Sequence, residues 1–368
     1  MIRRSEHTLK FANKNKLEIL DSIFNDYGEQ QQFYINEMWY GRLDIRKFCS
    51  TAKLPNHVIS ASSWKSTIYQ QASSLVRAVK SAKTKKKSKP IIKNVTVELP
   101  CQLFTCHSGN KEFDEFIHIS TPYSDPKYKT KHLFINLPIK HHKHSLKFQK
   151  DGWTRKKTIH ITLRNNQYYL VFFYEKEDPP KKFYGKTVGI DQGYKKLFMT
   201  NEGTVSKVDF HTFYTEITKK LRGSKNYSQM VDTKNRLINQ EINQFISEHT
   251  EISKIIIEDL KNVKRKSKYH HDVLNKMQYW SYSRFVRKLE LVCQERGITL
   301  EKVSPMYTSQ TCPNCGLIHS TNRLGEKFEC IGCKYTADAD WVGSVNILHK
   351  GVIHPLPQRT DSLELLSS

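Results

Sequence analysis

Two Cys-x-x-Cys pairs near the end of the chain, Cys312-Pro-Asn-Cys315 and Cys330-Ile-Gly-Cys333, constrain its folding more than any other feature. Each pair aims two thiols at one point from a tight turn, and pairs separated by about 15–20 residues fit a single tetrahedral Zn²⁺. Four thiolates fill the shell and leave no position for water, so the expectation is one structural zinc per chain. A redox role for either pair does not explain two copies at this separation. Gly316 and Gly332 stand where the knuckle turns need conformational freedom. Zinc bound here supplies folding energy to a segment too small for a core of its own. The remaining cysteines that this pattern leaves over, Cys49, Cys101, Cys106 and Cys293, lack ligand spacing and read as ordinary thiols.

Three carboxylates stand at places where strands end or helices begin. Asp191 follows the apolar run Val188-Gly189-Ile190 and precedes Gly193, so it caps a strand whose turn keeps its approach open. Glu258 directly follows Ile255-Ile256-Ile257 and projects just beyond a short buried strand. Asp340, seven residues after Cys333, opens a helix whose N-terminus favours negative charge. Three acids from distant segments suit two Mg²⁺ ions about 3.5–4 Å apart, activating water and stabilising the leaving oxygen of a phosphodiester. Each also has a mundane reading: a turn residue for Asp191, a solvated strand end for Glu258, an N-cap for Asp340. Asp259 and Asp338 are the neighbouring rivals.

The chain of 368 residues carries 60 Lys+Arg against 36 Asp+Glu, a formal net charge of +24. That excess exceeds what solubility requires and concentrates a polyanion at the surface. With aromatics at 11%, it points to nucleic acid, where bases stack beside phosphate contacts. No apolar run approaches the ~18 residues of a membrane span, and the charged start Met1-Ile2-Arg3-Arg4-Ser5-Glu6 carries no secretory h-region. An intracellular location without membrane attachment is expected.

Along the chain, His7–Phe11 suggests a strand. Leu17, Leu20, Ile23 and Phe24, then Trp64, Ile68, Leu75 and Val79, keep helical spacing. Residues 91–178 read as β structure, with a hairpin of Thr158–Leu163, a turn at Asn165-Asn166, and Tyr168–Tyr174. Asp178-Pro179-Pro180 punctuates the chain, and from Gly185 the pattern becomes α/β. Helices are expected over 211–249, 276–296 and 340–350, and strands at 197–200, 204–206 and Ile298–Val303.

The segments Gly189-Ile-Asp191-Gln-Gly193, Ile257-Glu258-Asp259-Leu260 and Thr308-Ser-Gln-Thr-Cys312-Pro-Asn-Cys315-Gly, through Asp338-Ala-Asp340 to Asn346-Ile-Leu348, resemble the RuvC-type nuclease half of the TnpB (OrfB) family. That family is tied to transposable elements and DNA recombination; its relatives are the Fanzor proteins and the miniature type V CRISPR nucleases. The resemblance is specific over residues 185–350 and upstream rests on architecture and charge.

The resemblance implies an α+β multidomain protein: an RNase H-like (RuvC) α/β core with an inserted zinc ribbon, and an N-terminal β-barrel wedge domain with a helical recognition insertion. In this sequence the wedge takes residues 1–11 and 90–180, and the recognition helices 12–89. The nuclease core takes 181–304 and 338–354, the zinc ribbon or target nucleic-acid-binding domain 305–337, and a disordered tail 355–368. Asp191, Glu258 and Asp340 would be the catalytic, Mg²⁺-binding acids (Mn²⁺ serving as a substitute), and Cys312, Cys315, Cys330 and Cys333 the zinc ligands. The implied activity is RNA-guided cleavage of double-stranded DNA beside a short motif, with guide RNA and target DNA as partners, by a monomer or a dimer. The location would be cytoplasm or nucleoid in a prokaryote, and the nucleus for a eukaryotic or viral member.

One departure stands out: many members carry Asn where this chain has Val342. Because base pairing reads the sequence in such systems, the protein needs mainly backbone-directed positive charge. Lys85, Lys86, Lys87, Lys143, Lys147, Arg155, Lys156, Lys157, Lys264, Arg265 and Lys266 are the candidate nucleic-acid contacts, a solvated face being the alternative. Two further functions stay open, a nuclease-inactive RNA-guided regulator and a guide-independent transposase- or resolvase-like enzyme.

Overall fold

The computed structural model describes residues 1–47, 59, 61–83, 87–125, 132–150, 152–193, 195–260 and 281–352. The chain forms two compact units, Met1–Glu177 and Asp178–Ser368, meeting at the Asp178-Pro179-Pro180 punctuation.

The first unit comprises β1 (Ile2–Thr8), α1 (Lys14–Trp39), α2 (Ser62–Ser81), β2 (Thr96–Pro100), β3 (Phe104–Ser108), β4 (Glu115–Ser124), β5 (His132–Ile139), α3 (Lys143–Leu146), β6 (Thr154–Arg164) and β7 (Gln167–Glu175). Among the described residues its strands form two sheets, β1-β7-β6-β2 and β3-β4-β5. The β6–β7 hairpin turns on Asn165 and Asn166, both at positive φ, 49° and 58°, which asparagine tolerates and which matches the twist of the strands. The first strand runs earlier than the His7–Phe11 expected. Its inward residues are the polar Ser5 and His7, both buried, so apolar alternation did not mark it. Helix α1 begins under an Asn13 cap that accepts from Lys16 N at 3.1 Å. Helix α2 buries Trp64, Ile68, Ala72 and Val76; Leu75, expected in the stripe, is exposed. One apolar core joins both helices to both sheets.

The second unit comprises β8 (Lys186–Asp191), β9 (Met199–Thr200), α4 (Phe210–Thr218), α5 (Lys225–Glu248), β10 (Ile252–Glu258), α6 (Tyr282–Arg296), β11 (Thr299–Val303), β12 (Arg323–Leu324), β13 (Lys327–Glu329), β14 (Thr336–Asp338) and α7 (Ala339–Val352). Its main sheet has the order β11-β10-β8-β9, with β10 parallel to both β8 and β11 and β9 antiparallel on β8. The single helix expected over 211–249 is two. Gly223 sits at φ 86°, and Ser224 caps α5 by accepting from Tyr227 N at 3.1 Å.

Both faces of this sheet are covered, which is why Ile255-Ile256-Ile257 is continuously apolar. Val188, Ile190, Ile255 and Ile257 pack with α4, α5 and α6. On the other side α7 lies flush against β8 because Gly189 has no side chain: a Cβ there would strike Ser344 O and Leu348 N. Gly351 does the same over Ile256. No helix among the described residues is long and apolar enough to cross a membrane.

Candidate active site

Asp191 is the last residue of β8 and Glu258 the last of the adjacent parallel β10, so the sheet delivers both carboxylates to one end. Asp340 lies in the first turn of α7, the helix packed on those strands. The helix is capped by Asp338, whose Oδ1 accepts from Asp340 N at 2.9 Å and Trp341 N at 3.1 Å. The mundane N-cap role therefore falls to the rival Asp338, and the carboxyl of Asp340 is left for other work. Asp259 is fixed through its backbone, donating to Val303 O at 2.8 Å.

Asp191 feels the other two acids. Burial first, then the charges of Glu258 and Asp340, hold the Asp191 carboxyl well above the usual carboxylate range, with Arg323 opposing. Burial also raises Glu258, offset by Thr308, Lys350 and Arg323. Each outer acid has a fixed partner. Arg323 Nη2 donates to Asp340 Oδ1 at 2.8 Å, and Thr308 Oγ1 donates to Glu258 Oε1. The Tyr282 hydroxyl donates to Glu258 O at 3.0 Å and accepts from Leu260 N, locking the strand end. Gly343 of α7 lies directly against Asp191: a Cβ there would come 2.7 Å from Asp191 Oδ2.

Two groups of metal-ligand side chains among the described residues have donor atoms within 4.8 Å of one another: the four cysteines, and Glu202, His249 and Glu251. The three acids are not such a group; Asp340 is engaged by Arg323. The exposed Glu202 and Glu251 already share Lys186, at 3.0 and 3.8 Å, so that second group is an ion-pair network. Beside Asp191, both polar atoms of the Gln192 amide are buried without a partner. A repelling, poorly hydrated carboxylate cluster with an orphaned amide alongside fits a hydrated divalent cation.

The cysteine cluster is built from two knuckles. Cys312 Sγ lies 3.6 Å from Cys333 Sγ, and Cys315 Sγ lies 3.5 Å from Cys330 Sγ. A tetrahedron with Zn–S bonds of about 2.3 Å has edges of about 3.8 Å, so the spacing suits zinc. The side-chain amide of Asn314 and the backbone at Tyr335 draw the Cys333 thiol down to about 6, and burial pushes Cys312 up to about 12. Gly316 has the left-handed φ of 76° expected of a knuckle turn. Gly332 has a different reason, close approach: a Cβ would meet Leu317 Cδ2 at 2.9 Å.

Strands β12–β14 cover the cluster, and Phe328, Cys312, Cys330, Ala339 and Val342 form its small core. Val342 is fully buried there, so the position that departs from the resemblance is a packing position joining ribbon and helix. Buried Asn346 ties α7 to the ribbon entrance, donating to Thr308 O and Thr311 O at 2.8 Å each. Lys350 Nζ donates to Ser304 O at 2.9 Å and to Met306 O. Lys196 reaches Asp338 at 3.2 Å, and Lys195 reaches Glu326 at 2.6 Å. Thr308 stood within the motif read from sequence. Arg323 carried no signal, because only the ribbon fold brings it to Asp340.

The basic candidates differ in their availability. Arg155 makes a two-pronged ion pair with Glu115, at 2.5 and 2.9 Å, and lies over the Phe172 ring. Lys156 pairs with Glu175 at 2.6 Å, and Lys87 donates to Lys80 O. Lys143 and Lys157 are exposed; Lys147 is half-buried beside Phe148. Lys85, Lys86, Lys264, Arg265 and Lys266 lie outside the described residues. Of the histidines His141, His142 and His144, which carry no metal pattern in sequence, the first two pack against buried His7, His144 stacks on His142, and His142 caps α3.

Residues 282–347 match the family model described as Cas12f1-like, TNB domain. The chain is 38% identical over 95 residues to the CRISPR-associated endodeoxyribonuclease Cas12f1 of Sulfoacidibacillus thermotolerans, covering 25% of this chain and 21% of that protein. It is 31% identical over 199 residues to InsQ of Escherichia coli, named as an RNA-guided DNA endonuclease, covering 45% and 48%. With a TnpB-like protein of Methanocaldococcus jannaschii the identity is 32% over 102 residues, covering 26% and 35%. The chain thus spans about half or less of the length of these curated relatives. Among solved structures, Cas12f1 in its complex with sgRNA and target DNA superposes with a TM-score of 0.57 at 17% identity, covering 92% of this chain and 84% of that one. CasPhi-2 (Cas12j), bound to crRNA and phosphorothioate DNA, gives 0.50 at 10% identity, covering 98% and 93%. At these identities the structures speak for the fold alone. In its motifs, and over residues 282–347, the chain is similar to the TnpB-like and Cas12f1 proteins.

Proposed function

We propose that this chain is an RNA-guided DNA endonuclease that binds a guide RNA and cuts double-stranded DNA at a RuvC-type centre built from Asp191, Glu258 and Asp340. The observation that carries this reading is the convergence of the three acids on Asp191, whose carboxyl is held high by burial and by the charges of the other two. Such a cluster is unfavourable by itself and suits divalent cations. The three carboxylates would hold the metal, and the orphaned Gln192 amide would meet its water shell. Two bound Mg²⁺ would supply a water activated at neutral pH and charge stabilisation on the leaving oxygen. The chain's own groups do the rest: Thr308 and Tyr282 orient Glu258, Asp338 sets the first turn of α7, and Arg323 balances charge.

The remaining parts follow the same reading. The four cysteines hold a structural zinc that shapes the loop delivering Asp340. The β-rich and helical parts of the first unit serve as wedge and recognition elements. Two adjoining clefts between α2 and β2, sharing Gln70 and Glu98 and lined by serine, threonine, asparagine and glutamine, support reading of a short motif beside the target. Amide side chains pair bidentately with adenine edges. Exposed lysines such as Lys143 and Lys157 serve backbone contact.

The test is purification of the chain with its bound nucleic acid, sequencing of that RNA, and assay of matched and mismatched DNA in Mg²⁺. Cleavage of matched DNA alone, lost in Asp191→Ala, is expected. Cutting without RNA would instead favour the transposase-like reading, and tight guided binding without cutting the regulator.

A further inference from the structure

The sheet β3-β4-β5 has one face in the core of the first unit and one face turned outward. Ile117, Ile119, Ile135 and Leu137 fill the inner face. On the outer face the cross-strand register sets Thr105 opposite His118, His118 opposite Asn136, and Ser120 opposite Phe134. The rings there are ordered. His118 and Phe134 stack with centroids 4.7 Å apart and planes 18° from parallel, and His107 meets His118 edge-on at 5.8 Å. Phe134 nonetheless remains 49% exposed.

Charge on this sheet is one-sided. Its three strands contain a single carboxylate, Glu115, which is buried and paired with Arg155. The outward face therefore presents π surface, three histidines (His107, His118 and His132) and no negative group, on a chain of net charge +24. Among the described residues, the outward positions of these three strands carry no lysine or arginine for an acidic protein partner. An unpaired nucleobase finds a ring stack to extend and neighbouring polar groups for its sugar and edges.

We propose that the outer face of β3-β4-β5 is a stacking platform for unpaired bases of RNA, with Phe134 and His118 as the stack and Thr105, Ser120 and Asn136 as sugar and base-edge contacts. The choice of RNA rests on the guide-RNA reading above, since single-stranded loops persist in a guide throughout, whereas DNA offers unpaired bases only in the strand displaced after recognition. Hydroxyl and amide groups interleaved with rings are also what a 2′-hydroxyl can meet.

The test uses the full chain stripped of nucleic acid in high salt, and a fluorescein-labelled twelve-nucleotide oligo(A) RNA followed by anisotropy. Phe134→Ala should weaken binding roughly five- to hundredfold, the range for loss of one base–aromatic stack. Phe134→Leu, similar in size without a π face, should lose as much, and Phe134→Trp should bind at least as well as the parent. Because no charge is removed, the loss should be the same factor at every salt concentration. Alanine and leucine variants that bind like the parent, with normal melting curves, would overturn the platform while leaving the guide reading intact. A parent chain that fails to bind the RNA would overturn both. Equal binding and equal loss with oligo(dA) would overturn the assignment to RNA.

Discussion

Arg323 Nη2 lies 2.8 Å from Asp340 Oδ1, so the hairpin over the four cysteines reaches into the acidic cluster with a guanidinium. Arg323 comes from β12, and its charge also lowers the proton affinity of Asp191 and Glu258. It offsets the charge of Asp191, and together with Lys350 that of Glu258. The ribbon is thereby coupled to the acidic cluster through charge as well as shape.

Removing that cation should expose the repulsion. Arg323→Ala is expected to lower stability in EDTA by about 1–2 kcal/mol, the scale of a hydrogen bond to a charged group discounted for partial exposure. The gain in melting temperature on adding Mg²⁺ should then be larger than in the parent. Equal Mg²⁺ gains in the two proteins would show that Arg323 does not balance these acids.

The zinc prediction rests on two contributors to one geometry. Metal analysis should find one zinc per chain, and Cys330→Ser should lose it, because Cys330 is buried in the small core with Cys312 and Phe328. Since the ribbon carries Arg323 and leads directly into α7, loss of zinc should also abolish cleavage. The main sheet should survive, its core of Val188, Ile190, Ile255 and Phe285 being separate. Retained cleavage in a zinc-free variant would break the proposed coupling.

What could be read from the sequence was whatever a short window encodes. Three isoleucines before Glu258 announce a buried strand end, and paired knuckles announce a four-sulfur site, because both depend on neighbours within a few residues. Arg323 could not be read this way; its meeting with Asp340 exists only once β12–β14 have folded over the cysteines. Val342 stood out in the sequence only as a departure from the Asn of many relatives; its burial beside Cys312 and Phe328 makes it a packing residue. The break at Gly223 was hidden because both flanking helices keep apolar spacing. Strand β1 was displaced because its inward Ser5 and His7 are satisfied by each other, at 3.0 Å, and by Lys140 O, at 3.2 Å from His7.

That buried histidine predicts acid sensitivity. His7 is lowered to about 4, chiefly by burial, with His142 and His141 adding like charge and Glu115 opposing. A histidine depressed in the folded state from 6.5 favours folding above about pH 6.5, and that contribution is lost as pH falls toward 4. The full effect is about 3 kcal/mol. Urea unfolding of the parent should lose stability steeply between pH 6.5 and 4.5. His7→Phe should be less stable at pH 7.5, having lost two hydrogen bonds, but should show a flatter profile. Some slope should remain from His141, which burial also lowers. Parallel profiles for the two proteins would exclude His7 as the titrating group.

Gly343 offers the sharpest test of the acidic centre because its substitution should separate folding from activity. It lies within α7, where alanine is the better helix former by about 1 kcal/mol. Its Cβ, however, would stand 2.7 Å from Asp191 Oδ2 and 3.2 Å from Asp191 Cγ, so the carboxyl must move. Asp191 ends a strand whose Gly189 is pressed against the same helix, which leaves the backbone little room to follow. Gly343→Ala should therefore melt within a few degrees of the parent and still bind zinc. DNA cleavage should fall about a hundredfold or more, as expected when a reacting group is displaced by about an ångström. Full cleavage by this variant would mean that Asp191 does not act from the position it holds against α7.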